Sequence, residues 1–281
     1  MKKVAIITDS SAYLPDTIVE ELGIHVVPLT LHWGDDTYRD GEDIHAEEFY
    51  ARLAEADTLP TTSQTTVGEF TQLFGRLLEA DYAVLALLIS SGLSGTVDSA
   101  LQAQKDFPDA PLAVYDSQLV SMSLGFMVMK VARAAKAGAS LEECLALAEE
   151  VYPKIGVYFT VDTLKYLHMG GRINTAKRVM GSALNIKPIM EIRDGKIELI
   201  ESVRSRKKAL ARMLELVARD LGGCESVRIS TFHAAADEES QTLLAQAVER
   251  FNPIETVSTF VSPAIGTHTG PGTVSIAYQM E

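Results

Sequence analysis

Tyr82-Ala-Val-Leu-Ala-Leu-Leu-Ile89 is an unbroken apolar run, and Ser90-Ser-Gly-Leu-Ser-Gly-Thr96 follows it directly. Eight apolar residues bounded by polar, glycine-rich chain suit a strand buried on both faces, the kind found in parallel sheets. The loop leads into a helical pattern from about Thr96 to Lys105. Strand, tight polar loop and helix in succession form a βα unit, and ligands in such sheets sit beyond the carboxyl ends of the strands.

The same alternation extends in both directions. Upstream, Val4–Thr8 reads as a strand, Pro15 opens a helix that Gly23 closes, and Ile24–Leu31 is a second extended run. Proline first and glycine last is the expected helix asymmetry. His45–Asp57 reads as a helix, and Thr66 with Glu69 forms a capping box before another. Downstream, Leu112–Tyr115 is a strand, and Met122–Lys136 and Leu141–Val151 are helices, the second capped by Ser140 with Glu143. These elements predict a Rossmann-like α/β lobe with a parallel sheet.

The second half has a different rhythm. Asn185–Ile192 and Lys196–Val203 are strands joined by Arg193-Asp194-Gly195, and Asp-Gly marks a hairpin turn. A helix over Arg206–Asp220, a strand over Val227–His233, a helix over Glu239–Arg250 and strands over Ile254–Val261 and Val274–Gln279 complete an α+β lobe with a mixed sheet. The boundary falls after Pro153, giving lobes of residues 1–155 and 156–281.

Composition narrows the function. The 281 residues are 47% hydrophobic and 22% charged, ordinary globular values. A net charge of −13 without a dense basic stretch argues against nucleic acid, whose phosphates require clustered Lys and Arg. Cys144 and Cys224 lack metal-ligand spacing and read as free thiols of a reducing compartment. The apolar run after Met1-Lys2-Lys3 stops at Thr8, too short for a signal peptide, and no stretch approaches the roughly 20 apolar residues of a membrane span. The expectation is a cytoplasmic protein that holds no metal or cofactor.

Polar or glycine-rich loops mark candidate sites. In Ser90–Thr96, Gly92 and Gly95 permit close backbone approach, and Ser94 adds a hydroxyl beside a helix N-terminus that favours an anion. The competing role for Ser94 or Thr96 is a simple helix cap. In Thr61–Thr65, Thr62 lies outside the cap at Thr66, so its hydroxyl is spare. Asp9 ends the first strand, either as a catalytic acid or as an acceptor for loop N–H groups. Arg172 follows Gly170-Gly171, where it anchors an anion or forms a surface ion pair. His268 lies in what reads as a loop, Gly266-Thr-His-Thr-Gly-Pro-Gly272. Met122, Phe126, Met127 and Met129 suit either a pliable sleeve around a ligand or plain core. Catalytic signatures are thin, with no GxSxG elbow, phosphate loop or HExxH motif. A Ser94–His268–Asp9 triad can be assembled only on paper.

Together the loops resemble the DegV family. The matching strings are Thr8-Asp-Ser-Ser-Ala12, Thr61-Thr-Ser-Gln64, Ile89-Ser-Ser-Gly-Leu-Ser-Gly-Thr96, Val114-Tyr-Asp-Ser117, Leu164-Lys-Tyr-Leu-His-Met-Gly-Gly-Arg-Ile173, Lys187-Pro188, Arg204-Ser-Arg-Lys207 and Gly266–Gly272. They run in family order from end to end. Two departures are Gln64-Thr65-Thr66 in place of a Gln-Pro-Ser continuation, and His168-Met169 where lysine is common.

The resemblance implies two α/β lobes with a lipid tunnel between them or within the first. It implies a carrier, not an enzyme, that binds a long-chain fatty acid and presents its carboxylate to a fatty acid kinase for acyl-phosphate formation. By motif position the carboxylate contacts are Thr62, Ser94, Arg172 and His268, with Asp9, Ser10, Ser63, Gly92, Gly95 and Thr96 in supporting loops. The alternative is a serine-dependent hydrolase or acyl-transfer enzyme using Ser94. A kinase-like reading, from likeness of the first lobe to the dihydroxyacetone kinase family's substrate lobe, lacks a nucleotide-phosphate loop.

Overall fold

In a computed structural model, residues 2–179 and 186–281 are described. The first lobe contains β1 (Val4–Asp9), α1 (Asp16–Leu22), β2 (His25–Val27), β3 (Thr30–Trp33), β4 (Asp36–Arg39), α2 (Ala46–Glu55), β5 (Thr61–Ser63), α3 (Val67–Glu79), β6 (Ala83–Leu88), α4 (Thr96–Gln104), β7 (Leu112–Asp116), α5 (Ser121–Lys136) and α6 (Leu141–Val151). The second contains β8 (Ile155–Thr160), α7 (Lys165–Met169), β9 (Lys187–Arg193), β10 (Lys196–Val203), α8 (Arg206–Leu221), β11 (Val227–His233), α9 (Asp237–Phe251), β12 (Glu255–Phe260), α10 (Pro263–Thr269) and β13 (Val274–Met280).

The α/β class and the parallel-then-mixed order agree with the sequence reading. The first sheet is parallel, in the order β2-β1-β6-β7, and the second is mixed, in the order β10-β9-β8-β13-β11-β12. β6 is buried along its whole length, as its apolar run requires. Helices α3 and α4 cover one face of the parallel sheet and α5 and α6 the other. Both capping boxes form, Thr66 with Glu69 and Ser140 with Glu143. The β9–β10 turn carries Asp194 at φ 49° and Gly195 at φ 73°, the left-handed pair that Asp-Gly supplies.

Three expectations change. Ile24–Leu31 is not one strand, because Pro28 ends β2 and β3 departs to a separate antiparallel sheet, β4-β3-β5. Thr61–Ser63 is therefore strand rather than loop. The chain before Gly270 is helix α10, begun by Ser262-Pro263, so His268 stands on a helix. The start of the strand expected over Asn185–Ile192 lies outside the described residues.

Helix α5 joins the lobes. It packs on β1 on one side and on β8 and β13 on the other. Leu124, Phe126, Met127 and Val128 are all fully buried, and the methionine stripe belongs to this shared core. Of the α5 residues only Ser121, its first, lines the channel described below, so the sleeve reading of the stripe falls. Charge reinforces the joint: Glu255 on β12 accepts from Arg133 on α5 at 2.6 and 2.8 Å, and from Arg228 on β11 at 2.7 Å.

Candidate functional site

A channel of about 880 Å³ of empty space, its open mouth included, runs between the lobes. Its walls are apolar and come from both lobes, with Ile89 and Val120 from the first and Phe159, Ile192 and Phe232 from the second. Its polar lining includes Thr62, Ser63, Gln64, Ser94, Arg172 and His268, along with Ser121, Thr269, Thr273 and Ser275.

Thr62 and His268, 206 residues apart, meet with Oγ1 and Nε2 at 2.7 Å. Pairing of β5 with β3 fixes Thr62 opposite Leu31, while α10 carries His268 across from the other lobe. Burial, with the Arg172 guanidinium nearby, pushes the imidazole down to about 4, so the ring is neutral at pH 7. Nδ1 has no partner among the described residues, and a Cβ at Gly170 would overlap it. A bare buried acceptor is tolerated better than a bare buried N–H. The neutral ring therefore carries its proton on Nε2 and donates to Thr62 Oγ1. That leaves the Thr62 hydroxyl proton free to donate onward.

Ser94 stands ahead of α4. The cap position is Gly95, with no side-chain cap, so neither Ser94 nor Thr96 serves as one. Instead the two hydroxyls bond each other at 2.8 Å. Arg172 donates from Nε to Leu93 O at 3.2 Å and from Nη1 to Gly170 O at 2.6 Å. These carbonyls engage two of the five guanidinium N–H groups and fix its plane. Arg172 is thus held by backbone from both lobes rather than by a surface carboxylate.

The supporting residues divide. Asp9 is fully buried and accepts from Ser11 N at 3.0 Å and Ile89 N at 2.7 Å, so it organises its loop. Ser10 donates to Asp40 at 2.6 Å and accepts from Leu29 N at 3.0 Å. Ser63 Oγ lies 2.9 Å from His32 Nε2. Gly92 admits protein, not ligand: a Cβ there would stand 2.5 Å from Gly195 O at the β9–β10 turn. Ser90 Oγ donates to the same carbonyl at 2.8 Å, which pins the hairpin tip on the loop. Gly95 faces the Gln64 side chain. No Ser94–His268–Asp9 relay forms, since Ser94 pairs with Thr96, His268 with Thr62 and Asp9 with backbone.

A family model described as "Uncharacterised protein, DegV family" matches residues 3–281. The chain belongs to the DegV family. A DegV domain-containing protein of Listeria innocua is 35% identical over 281 residues, covering 100% of this chain and 99% of that one. A solved structure of a DegV family protein from Thermus thermophilus, described by its fatty acid binding, superposes with a TM-score of 0.95 at 32% identity, each chain covered 100%. DegV of Bacillus subtilis, described as a fatty acid binding protein, superposes with a TM-score of 0.91 at 33% identity over 100% of both chains. The α/β fold expected from the DegV resemblance is the fold observed.

Two groups near the site escaped the sequence reading. Asp40, 2% exposed, accepts from Ser10 of its own lobe and from Ala264 N at 3.2 Å across the interface, and burial raises its carboxyl to about 6. Tyr13 lines the channel next to Phe232. No motif flags either, though an aspartate between Arg39 and Gly41 followed by a helix signal was a readable cue. Among the described residues no cluster fits a metal ion, and no helix is long and apolar enough to cross a membrane.

Proposed function

We propose that this chain binds one long-chain fatty acid in the interlobe channel and presents its carboxylate to a fatty acid kinase for acyl-phosphate formation. The observation that carries the reading is an apolar channel with Thr62, Ser94, Arg172 and His268 in its lining. The lobes that clasp the ligand are residues 1–155 and 156–281. The fatty acid binding described for the Thermus thermophilus and Bacillus subtilis proteins supports the same ligand.

Each buried methylene contributes about 0.8 kcal/mol, so roughly fourteen supply on the order of 11 kcal/mol before association costs. A carboxylate without donors would take up a proton in such a place. The Thr62 and Ser94 hydroxyls with the Arg172 charge keep it anionic, and an anionic oxygen is the nucleophile that phosphoryl transfer needs. No residue has to act as a base in this role.

Native mass spectrometry of the purified protein, followed by extraction, tests binding. One fatty acid per chain is expected. A ligand-free mass that also fails to shift with added palmitate or oleate overturns the proposal. Incubation of the loaded protein with a fatty acid kinase and ATP, with hydroxylamine trapping, tests presentation. A trapped hydroxamate is expected, and its absence with an active kinase removes that half of the proposal.

A further inference from the structure

A second cavity, about 1380 Å³ with its open mouth, lies beside α1 and shares one residue with the channel, Tyr13. The phenol ring is 7% exposed and stands edge-on to Phe232, a channel residue, at 5.7 Å between centroids. This cavity is lined by the acidic Asp9, Asp16, Asp40, Glu42 and Glu47 together with apolar residues that include Val19, Val26 and Phe260. Val26 and Phe260 are about two-fifths exposed, at 39% and 40%.

The backbone at the partition is unusual. Tyr13 has φ 58° and Ser121, which lines the channel, has φ 61°. Buried non-glycine residues hold this left-handed conformation only where their surroundings enforce it, and such residues concentrate at functional positions. Tyr13 owes it to the tight turn Ser10–Ala12, which it terminates. The turn places a bulky ring at the one residue that lines both cavities.

We propose that Tyr13 is an end wall of the acyl channel and sets the longest chain the protein accepts. The proposal rests on the fatty-acid reading above. With the carboxylate fixed at Thr62 and Ser94, a tail too long for the channel must fold back or pull the head group out of place. Each methylene denied burial lowers affinity about fourfold. Without the ring, the tail passes into the second cavity along Val19, Val26 and Phe260.

The test offers the protein an equimolar mixture of even-numbered saturated fatty acids from lauric to lignoceric acid and identifies the bound species by native mass spectrometry and extraction. The wild-type protein should show a sharp upper limit. Tyr13→Ala should raise that limit by about two methylenes or more, while Tyr13→Phe, which keeps the ring, should leave it in place. An identical limit in Tyr13→Ala overturns the end wall. Failure of the wild-type protein to bind any member overturns the fatty-acid reading instead. Should Tyr13→Ala not fold, palmitic acid with a photoreactive diazirine at its methyl end is cross-linked to the wild-type protein. Label on Tyr13, Phe232 or Val120-Ser121 is expected, and label confined to Leu93 and Leu167 overturns the proposal.

Discussion

Replacing Thr62 by valine keeps the shape of the side chain and removes its hydroxyl. In the proposed complex that hydroxyl accepts from His268 Nε2 at 2.7 Å and spends its own proton on the ligand carboxylate. A hydrogen bond to a charged group contributes about 1.5–3 kcal/mol, so the variant should bind oleate about 10- to 150-fold more weakly. His268→Ala removes only the bond that orients the hydroxyl, worth about 0.5–1.5 kcal/mol, or about 2- to 12-fold. Because His268 acts through Thr62, the double variant should be little weaker than Thr62→Val alone. Thr62→Ser should bind nearly as the wild type. Calorimetric titration of delipidated protein with oleate measures all four. Unchanged affinity in Thr62→Val, or full additivity in the double variant, would refute the assigned proton arrangement.

Ser94→Ala should weaken oleate binding by a similar 1.5–3 kcal/mol in the same titration while leaving the melting temperature of the delipidated protein nearly unchanged, since Ser94 caps no helix. Gly170→Ala places a methyl group against His268 Nδ1, so it should displace the ring and weaken binding at least as much as His268→Ala. Glu255→Gln removes the carboxylate that Arg133 and Arg228 share across the lobes, and should cost about 1 kcal/mol in urea unfolding, less at high salt. Two pH effects oppose each other. His268 titrates near 4 when folded, below its ordinary 6.5, so between these limits the unfolded chain holds a proton that the native chain lacks. Its contribution is whole above 6.5 and falls by on the order of 3 kcal/mol toward pH 4. Asp40, raised from 3.8 to about 6, takes its proton first in the native chain, so its contribution rises as pH falls through 6. The stability difference between wild type and His268→Gln should therefore shrink on acidification, and that between wild type and Asp40→Asn should move in favour of the wild type. The reverse trend in either would contradict the assigned environments.

Local signals were legible where one principle dominated. The run Tyr82–Ile89 announced β6, the two capping boxes formed, and Asp194-Gly195 turned the hairpin. The sheet β4-β3-β5 was not legible, because its strands are three or four residues long and too short to show a period. Helix α10 was hidden by glycines whose purpose is close packing: a Cβ at Gly266 would strike the Tyr50 hydroxyl, although Ser262-Pro263 signalled a helix start. At the site, spacing marked Thr62 as a spare hydroxyl and left Ser94 open between a donor and a cap, but nothing local reports that Thr62 meets His268. That contact is a product of how the lobes dock, and periodicity within one element carries no information about it. Tyr13 was missed for the same reason, since its contact with Phe232 joins the two lobes.

The separation of 206 positions from Thr62 to His268 also sets a clock. Ribosomes add about 5–20 residues per second, so Thr62 is made roughly 10–40 s before the imidazole that completes its hydrogen bond. Throughout that interval the nascent first lobe has one wall of a channel and half of a polar cluster. A hydrocarbon chain meeting it then finds an open apolar surface and no finished seat for its head. On the proposed function, loading therefore waits until translation has passed α10.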